Sequence, residues 1–223
     1  MTTGTTENMT TTQQTSHGIS HEIRIGVKRL DMVLTGMVGS PLVIHNFSEK
    51  AKQQIRDKHA QAAKQKKGKR DIDEEFLLNR YVDSKGRECV PMTAVKKALV
   101  SAGTAMDNLT KVALRQALFV YSPDDESAVH FPIETLDGKP AVGVMREDAV
   151  TISVSTRGLV YRPDYPTWQI RVRIEYNPRL ISQEQVLELT ACAGWGVGIC
   201  EGRPEKTSAL GWGRFRIASY AAV

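Results

Sequence analysis

The stretch from Trp168 to Tyr176 leaves this chain little freedom in what it can become. Trp168, Ile170, Val172, Ile174 and Tyr176 share one parity, and Arg171, Arg173 and Glu175 take the other. That period of two places apolar side chains on one face of a β-strand and charges on the opposite face. Such a strand must be covered on one side and paired along its edges, so strands of matching pattern should stand beside it. Ala149 to Ser155, with Val150, Ile152 and Val154 in step, reads as its hairpin partner across a long loop from Thr156 to Thr167. Ile23 to Thr35 supplies a further strand, in which Leu30, Met32 and Leu34 share one parity. At the far end Phe215 and Ile217 alternate with Arg214 and Arg216 after Gly211-Trp212-Gly213.

Helical signals fall between these strands. Pro91 is suited to the first turn of a helix in which Met92, Val95, Leu99 and Ala102 line one face, and Gly103 ends it. Asp71 caps a short helix through Phe76, Leu77 and Tyr81, and Ser182 caps another that carries Val186, Leu187 and Leu189 and stops at Gly194. Leu114 to Tyr121 is apolar enough for a strand or a short helix, so residues 104–147 are the natural place for an inserted subdomain. Residues 1–20, rich in Thr, Gln, Ser and Asn, read as a flexible arm ahead of a single domain spanning 21–223. The expected order is βαββαβ, a ferredoxin-like α+β core with helical and β-hairpin insertions.

Charge is placed unevenly. The chain has 223 residues and a net charge of +5, which says little about partners until its distribution is considered. Within the insertion at about 46–82, the stretch between Lys52 and Arg70 holds Lys52, Arg56, Lys58, Lys64, Lys66, Lys67, Lys69 and Arg70 against the single acid Asp57. Like charges at helical spacing repel one another, and a polyanion supplies the missing counter-charge. A solvated charged helix is the plainer reading of the same run.

The glycine-rich stretch at the end adds a second hint. Gly211 and Gly213 let backbone N–H groups approach a phosphate, Arg214 follows them, and Trp212 offers a ring on which a base could stack, as could Tyr161 or Tyr165 in the loop that also holds Arg162. A closing strand with a bulge at its entrance explains the same glycines without any ligand.

Signals for chemistry are sparse. Cys89, Cys192 and Cys200 lack the spacing of a disulfide framework or a zinc site, and His17 and His21 have no third ligand nearby. No metal and no cofactor are expected. Asp71/Asp73 and Asp124/Asp125 are explained by a cap and a solvated turn, and Gly194-x-Gly-x-Gly198 precedes no convincing helix. His45, after the apolar run Leu42-Val43-Ile44, is the one candidate general base, and no second catalytic group accompanies it. No apolar run approaches the length of roughly 20 residues needed to cross a bilayer, so a non-membrane, cytoplasmic setting is expected.

Three local patterns occur in a telling order. They are Leu34 to Ile44 (apolar-Gly-x-x-Gly-Ser-Pro-Leu-Val-Ile), Val90-Pro91 leading to Lys96-Lys97-Ala-Leu99, and Gly211-Trp-Gly-Arg-Phe215. Together they resemble the RAMP superfamily of CRISPR effector proteins, most closely the Cas backbone subunits. The resemblance departs from the family's pattern at Met92, where a glycine is usual after the proline. It implies a modified RNA-recognition-motif fold, non-catalytic and sequence-tolerant binding of single-stranded nucleic acid (RNA in preference to DNA), and head-to-tail homo-oligomerisation into a helical filament, with other effector subunits as further partners. By position, it would bring Lys96, Lys97, Gly211, Gly213 and Arg214 close to the bound backbone. A phage-encoded or repurposed relative, a phage structural or assembly protein, and a RAMP-type endoribonuclease using His45 are the alternatives.

Overall fold

The computed structural model describes residues 26–46, 56, 59–60, 70–107, 109–153, 156–207 and 210–223. In chain order they form β1 (Lys28–Gly36), β2 (Leu42–Val43), α1 (Ile72–Leu78), β3 (Tyr81–Val82), β4 (Glu88–Pro91), α2 (Met92–Ala102), α3 (Lys111–Ala117) and β5 (Leu118–Tyr121). There follow β6 (His130–Pro132), β7 (Val144–Ser153), β8 (Thr156–Tyr165), β9 (Gln169–Tyr176), α4 (Gln183–Cys192), a π-helical turn (Ala193–Val197) and β10 (Phe215–Ala222).

The alternation in β9 does what its sequence requires. Ile170, Val172 and Ile174 are fully buried, with Trp168 and Tyr176 closing the same face. β9 pairs antiparallel with β1, so that Leu30, Met32 and Leu34 stand opposite Ile174, Val172 and Ile170. The main sheet runs β10-β1-β9-β5, with every neighbouring pair antiparallel. α2 and α3 lie in the connection from β1 to β5, and α4 lies between β9 and β10. The core is therefore βαββαβ with its last strand beside its first, which is the ferredoxin-like order.

One strand of that core is not where the pattern put it. The run from Ala149 belongs to β7, which pairs with β8 in a second sheet ordered β2-β8-β7. The expected loop from Thr156 is largely strand. Pro163 speaks against a central strand, yet it sits just beyond the short β2 pairing, and its carbonyl still accepts from the Ile44 N–H at 3.1 Å. The second core strand is β5. Leu114 to Tyr121 proves to be both helix and strand, since α3 runs straight into β5 at Leu118. The opening part of the supposed subdomain at 104–147 thus belongs to the core, and the remainder forms β6 and leads into β7.

A third sheet, β3-β4-β6, meets the second around one carboxylate. Glu88 is 6% exposed and pairs with Arg80 at 2.7 Å, while it accepts from the Gly143 N–H at 2.8 Å and from the Tyr165 hydroxyl. Removing either partner of this pair would leave the other charge uncompensated. Among the described residues, no helix is long and apolar enough to cross a membrane, and no group of three or more His, Cys, Asp and Glu is placed to hold a metal ion.

Candidate nucleic-acid interface

The main sheet has one face against the helices and one face away from them. On the open face, β1 and β9 present Arg29, Asp31, Arg171, Arg173 and Glu175, all of which are ion-paired. Arg173 bridges Asp31 (2.7 Å) and Glu126 (2.9 Å). Arg29 holds Glu175 (2.9 Å) and Glu126 (3.1 Å), and Arg171 holds Asp124 (2.7 Å) and Glu134 (3.0 Å). Three arginines meet five acids, so these three have no positive charge left for a phosphate chain, while Arg216 of β10, opposite Thr35 on the same face, is exposed and enters no ion pair among the described residues.

The helical side differs. Pro91 ends β4 with φ −69° and starts α2, whose Val95, Ala98, Leu99 and Ala102 are buried while Lys97 stays exposed. Thr110 caps α3 by accepting from the Ala113 N–H at 3.1 Å, and Lys111 and Arg115 follow one turn apart, both exposed. A third wall comes from the segment after the π-helical turn. Gly198 (φ 70°), Cys200 (φ 62°) and Gly202 (φ 63°) curl it tightly, and hydrogen bonds from Ile199 N–H to the Gly213 carbonyl (2.9 Å) and from Glu201 N–H to the Val43 carbonyl (3.0 Å) hold it.

These walls enclose a cleft of about 630 Å³ lined by Lys96, Lys97, Lys111, Arg115, Arg203 and Lys206, with Glu201 and Glu205 the only acids. Arg203 pairs with Glu205 at 3.2 Å, and Ser101 donates to that same carboxylate, which its hydrogen bonds keep below the usual glutamate range. Lys97, Lys111, Arg115 and Lys206 enter no ion pair among the described residues.

Lys96 and Lys97, adjacent in sequence, have different tasks. The Lys96 ammonium donates to the carbonyls of Arg115 (3.2 Å) and Leu118 at the end of α3, over the Phe119 ring, and burial lowers its pKa. It fastens α2 to α3 rather than facing a ligand. Lys97 faces solvent at the cleft.

The glycine-rich stretch is a junction inside the protein. Gly213 (φ 65°) donates its N–H to the Pro41 carbonyl at 2.8 Å, and a Cβ at this position would run into the Ile199 carbonyl. Trp212 donates its N–H to Gly202 O (3.0 Å), and Arg214 donates its own to the Ser40 hydroxyl (2.7 Å), which in turn donates to the Gly211 carbonyl (2.8 Å). The N–H groups of residues 212–214 are thus committed to protein partners, which corrects the reading of Gly213 as part of a phosphate cradle, and the Gly211 carbonyl is held by Ser40. Trp212 is 9% exposed, packed on Gly202 and covered by the Arg146 guanidinium 4.1 Å from its ring. It offers no free face for a base. Tyr165 is buried on Glu88 and Tyr161 lies beneath Arg70, so neither tyrosine is a platform.

Arg162 is also held internally. It donates to His45 Nδ1 at 3.3 Å and sits 3.5 Å from Asp148. His45 is pushed below the usual histidine range by burial and by Arg162, so it is a neutral acceptor in that pair. Arg70 is bound to Glu75 at 2.7 Å and to the Leu159 carbonyl. Of the basic run, Lys52, Lys64, Lys66, Lys67 and Lys69 lie outside the described residues. Arg56 lies within a helical turn, its carbonyl accepting from the Ala60 N–H at 2.8 Å.

Sequence reasoning passed over Lys111, Arg115, Lys206 and Trp195. The three cations are scattered over nearly a hundred residues, and only the fold brings them together. Trp195 carried a signal that was readable: Gly194-Trp195-Gly196 repeats the Gly-Trp-Gly triplet of 211–213.

No protein-family model matches the sequence, and no curated protein matches it. Among solved structures the chain is similar to a chain of the Type III-B Cmr-beta bound to cognate target RNA, at 12% identity and a TM-score of 0.43 over 88% of this chain and 61% of that one. It is also similar to Cmr6 from Pyrococcus furiosus, at 11% identity and a TM-score of 0.38 over 87% of this chain and 100% of that one. The ferredoxin-like assignment rests on the strand order of this chain's own sheet. Both of these neighbours are Cmr proteins.

Proposed function

We propose that the chain binds single-stranded nucleic acid, RNA in preference to DNA, along the cleft between α2, α3 and the 198–206 segment, and that it does so without cleaving it. The observation that carries this reading is the contrast in charge: four cations without ion-pair partners line the cleft, while the three arginines that β1 and β9 present on the open sheet face are neutralised by carboxylates. A polyanion is the ligand that four unpaired cations on neighbouring walls suit best. The basic run at 52–70 would add further positive charge for the same ligand. His45, engaged by Arg162, acts as a structural acceptor in this account.

In the same reading, copies line up head to tail along the strand, alone or with other effector subunits. The outer edge of β10 supports this, since it is unpaired in the main sheet and exposed from Ala218 onward.

The test is fluorescence anisotropy with a labelled single-stranded RNA and DNA of one sequence and the matching duplexes. Wild type retains the single strands, and the double variant Lys97→Glu/Arg115→Glu loses them while keeping its melting temperature. Equal affinity in that variant would refute the cleft, and RNA cut by wild type but not by His45→Ala would refute the absence of catalysis.

A further inference from the structure

We propose that Trp195 and Arg214 form a nucleotide site in which an unstacked base lies on the exposed indole and the neighbouring phosphate meets the guanidinium. This rests on the single-strand reading above and names the side chains that would tell a base-bearing strand from a bare sugar-phosphate chain.

The chain carries two copies of one triplet. In Gly211-Trp212-Gly213 the indole is buried, and the arginine stacked on it, Arg146, is neutralised by Asp148 (2.8 Å) and Asp164 (3.1 Å). In Gly194-Trp195-Gly196 the indole is 68% exposed, and the arginine on it, Arg214, lies 4.2 Å from the ring with no carboxylate partner among the described residues. The first pair is closed in both charge and surface. The second is open in both.

The open pair is also rigid. Arg214 Nε donates to the carbonyl of Trp195 itself at 3.0 Å, so the guanidinium and the ring are held together. The Arg214 backbone is fixed at both ends, by the Ser40 hydroxyl and by the Met37 N–H at 3.0 Å. On one side of Trp195, Gly194 packs on Phe215 with no room for a side chain, and on the other, Gly196 has nothing within 4 Å of where a Cβ would stand. An incoming planar group therefore meets an exposed indole that carries the Arg214 guanidinium and has no side chain on either flanking residue. Stacking on such a ring is tolerant of base identity, because every base has a π-face, and an added cation strengthens it.

Position favours the same ligand. Trp195 is three residues from Gly198, which lines the basic cleft, a chain path of at most about 11 Å. A strand following the cleft cations passes close to the ring.

The experiment compares an oligouridine 12-mer with an abasic 12-mer of equal charge, titrated at low salt against wild type, Trp195→Ala, Trp195→Phe and Lys97→Glu/Arg115→Glu. Expected is a preference of wild type for the base-bearing strand of roughly tenfold, lost in Trp195→Ala and largely kept in Trp195→Phe. Quenching of the exposed tryptophan should accompany binding of the oligouridine alone. The proposal is overturned if Trp195→Ala binds both strands as wild type does, weakens both equally, or loses self-association at unchanged affinity. Those outcomes leave the cleft standing, provided Lys97→Glu/Arg115→Glu still loses both strands. If wild type binds neither strand, the cleft reading falls as well.

Discussion

Neutralising the cleft one cation at a time gives a graded test of the binding surface. The perturbation is a series of glutamine substitutions at Lys97, Lys111, Arg115 and Lys206, the four cleft cations without ion-pair partners. Each cation that contacts a phosphate releases a counterion from a single strand, and the salt slope of log K falls by about 0.7 per contact. Four contacts give a slope of about −2.8, so a rise from about 50 to about 200 mM salt weakens binding about fiftyfold. With two cations neutralised the slope becomes about −1.4, and the same change in salt weakens binding about sevenfold. The four positions come from three different walls and are solvent-facing, so folding stability should change little across the series. The assay is anisotropy at several salt concentrations, with the melting temperature recorded for each variant. A quadruple variant that keeps the wild-type slope would show that the phosphates lie elsewhere. Basic residues at 52–70 would add a constant offset to every member of the series, which leaves the decrement per substitution intact.

Gly213→Ala combines a backbone at φ 65° with a Cβ directed into the Ile199 carbonyl, and thermal melting should show a loss of about 3 kcal/mol; a loss below about 1 kcal/mol would contradict the packing of this junction. Burial pushes the Cys89 thiol up to about 11 and that of Cys200 up to about 12, so alkylation at pH 8 should fall on Cys192, and mass spectrometry of digests will find the modified residue. The Arg70 hydrogen bond is the main cause that holds Glu75 below the usual glutamate range. That depressed value contributes stability above the ordinary pKa and loses it as pH falls through the folded one, so acid melting curves should lose this component in Glu75→Gln.

The strand pattern carried most of the core, and its failures have physical causes. In β9 and β1 the burial of one face is complete, and a period of two records that directly. Leu114 to Tyr121 could not be parsed because it changes from helix to strand within one apolar run. Residues 149–155 alternate as a core strand would, yet Ala149 to Ser153 belong to the second sheet, and alternation does not say which sheet a strand joins. The site was less legible than the fold. Lys97 lies on the expected helix, but Lys96 beside it is turned onto the carbonyls that end α3. Whether Trp212 or Trp195 reaches solvent depends on Arg146 and its aspartates in a distant hairpin, information absent from either triplet.

The pairing of β10 with β1 has a consequence for how the protein is made. Gly36 stands opposite Phe215, so roughly 180 residues must be synthesised before the first core strand acquires its outer neighbour. Until then Leu30, Met32 and Leu34 belong to an incomplete sheet with an open edge, a nascent state prone to sticking to other chains. Slower translation at lower temperature, or a chaperone that shields that edge, should raise the yield of soluble protein more than any change to the cleft.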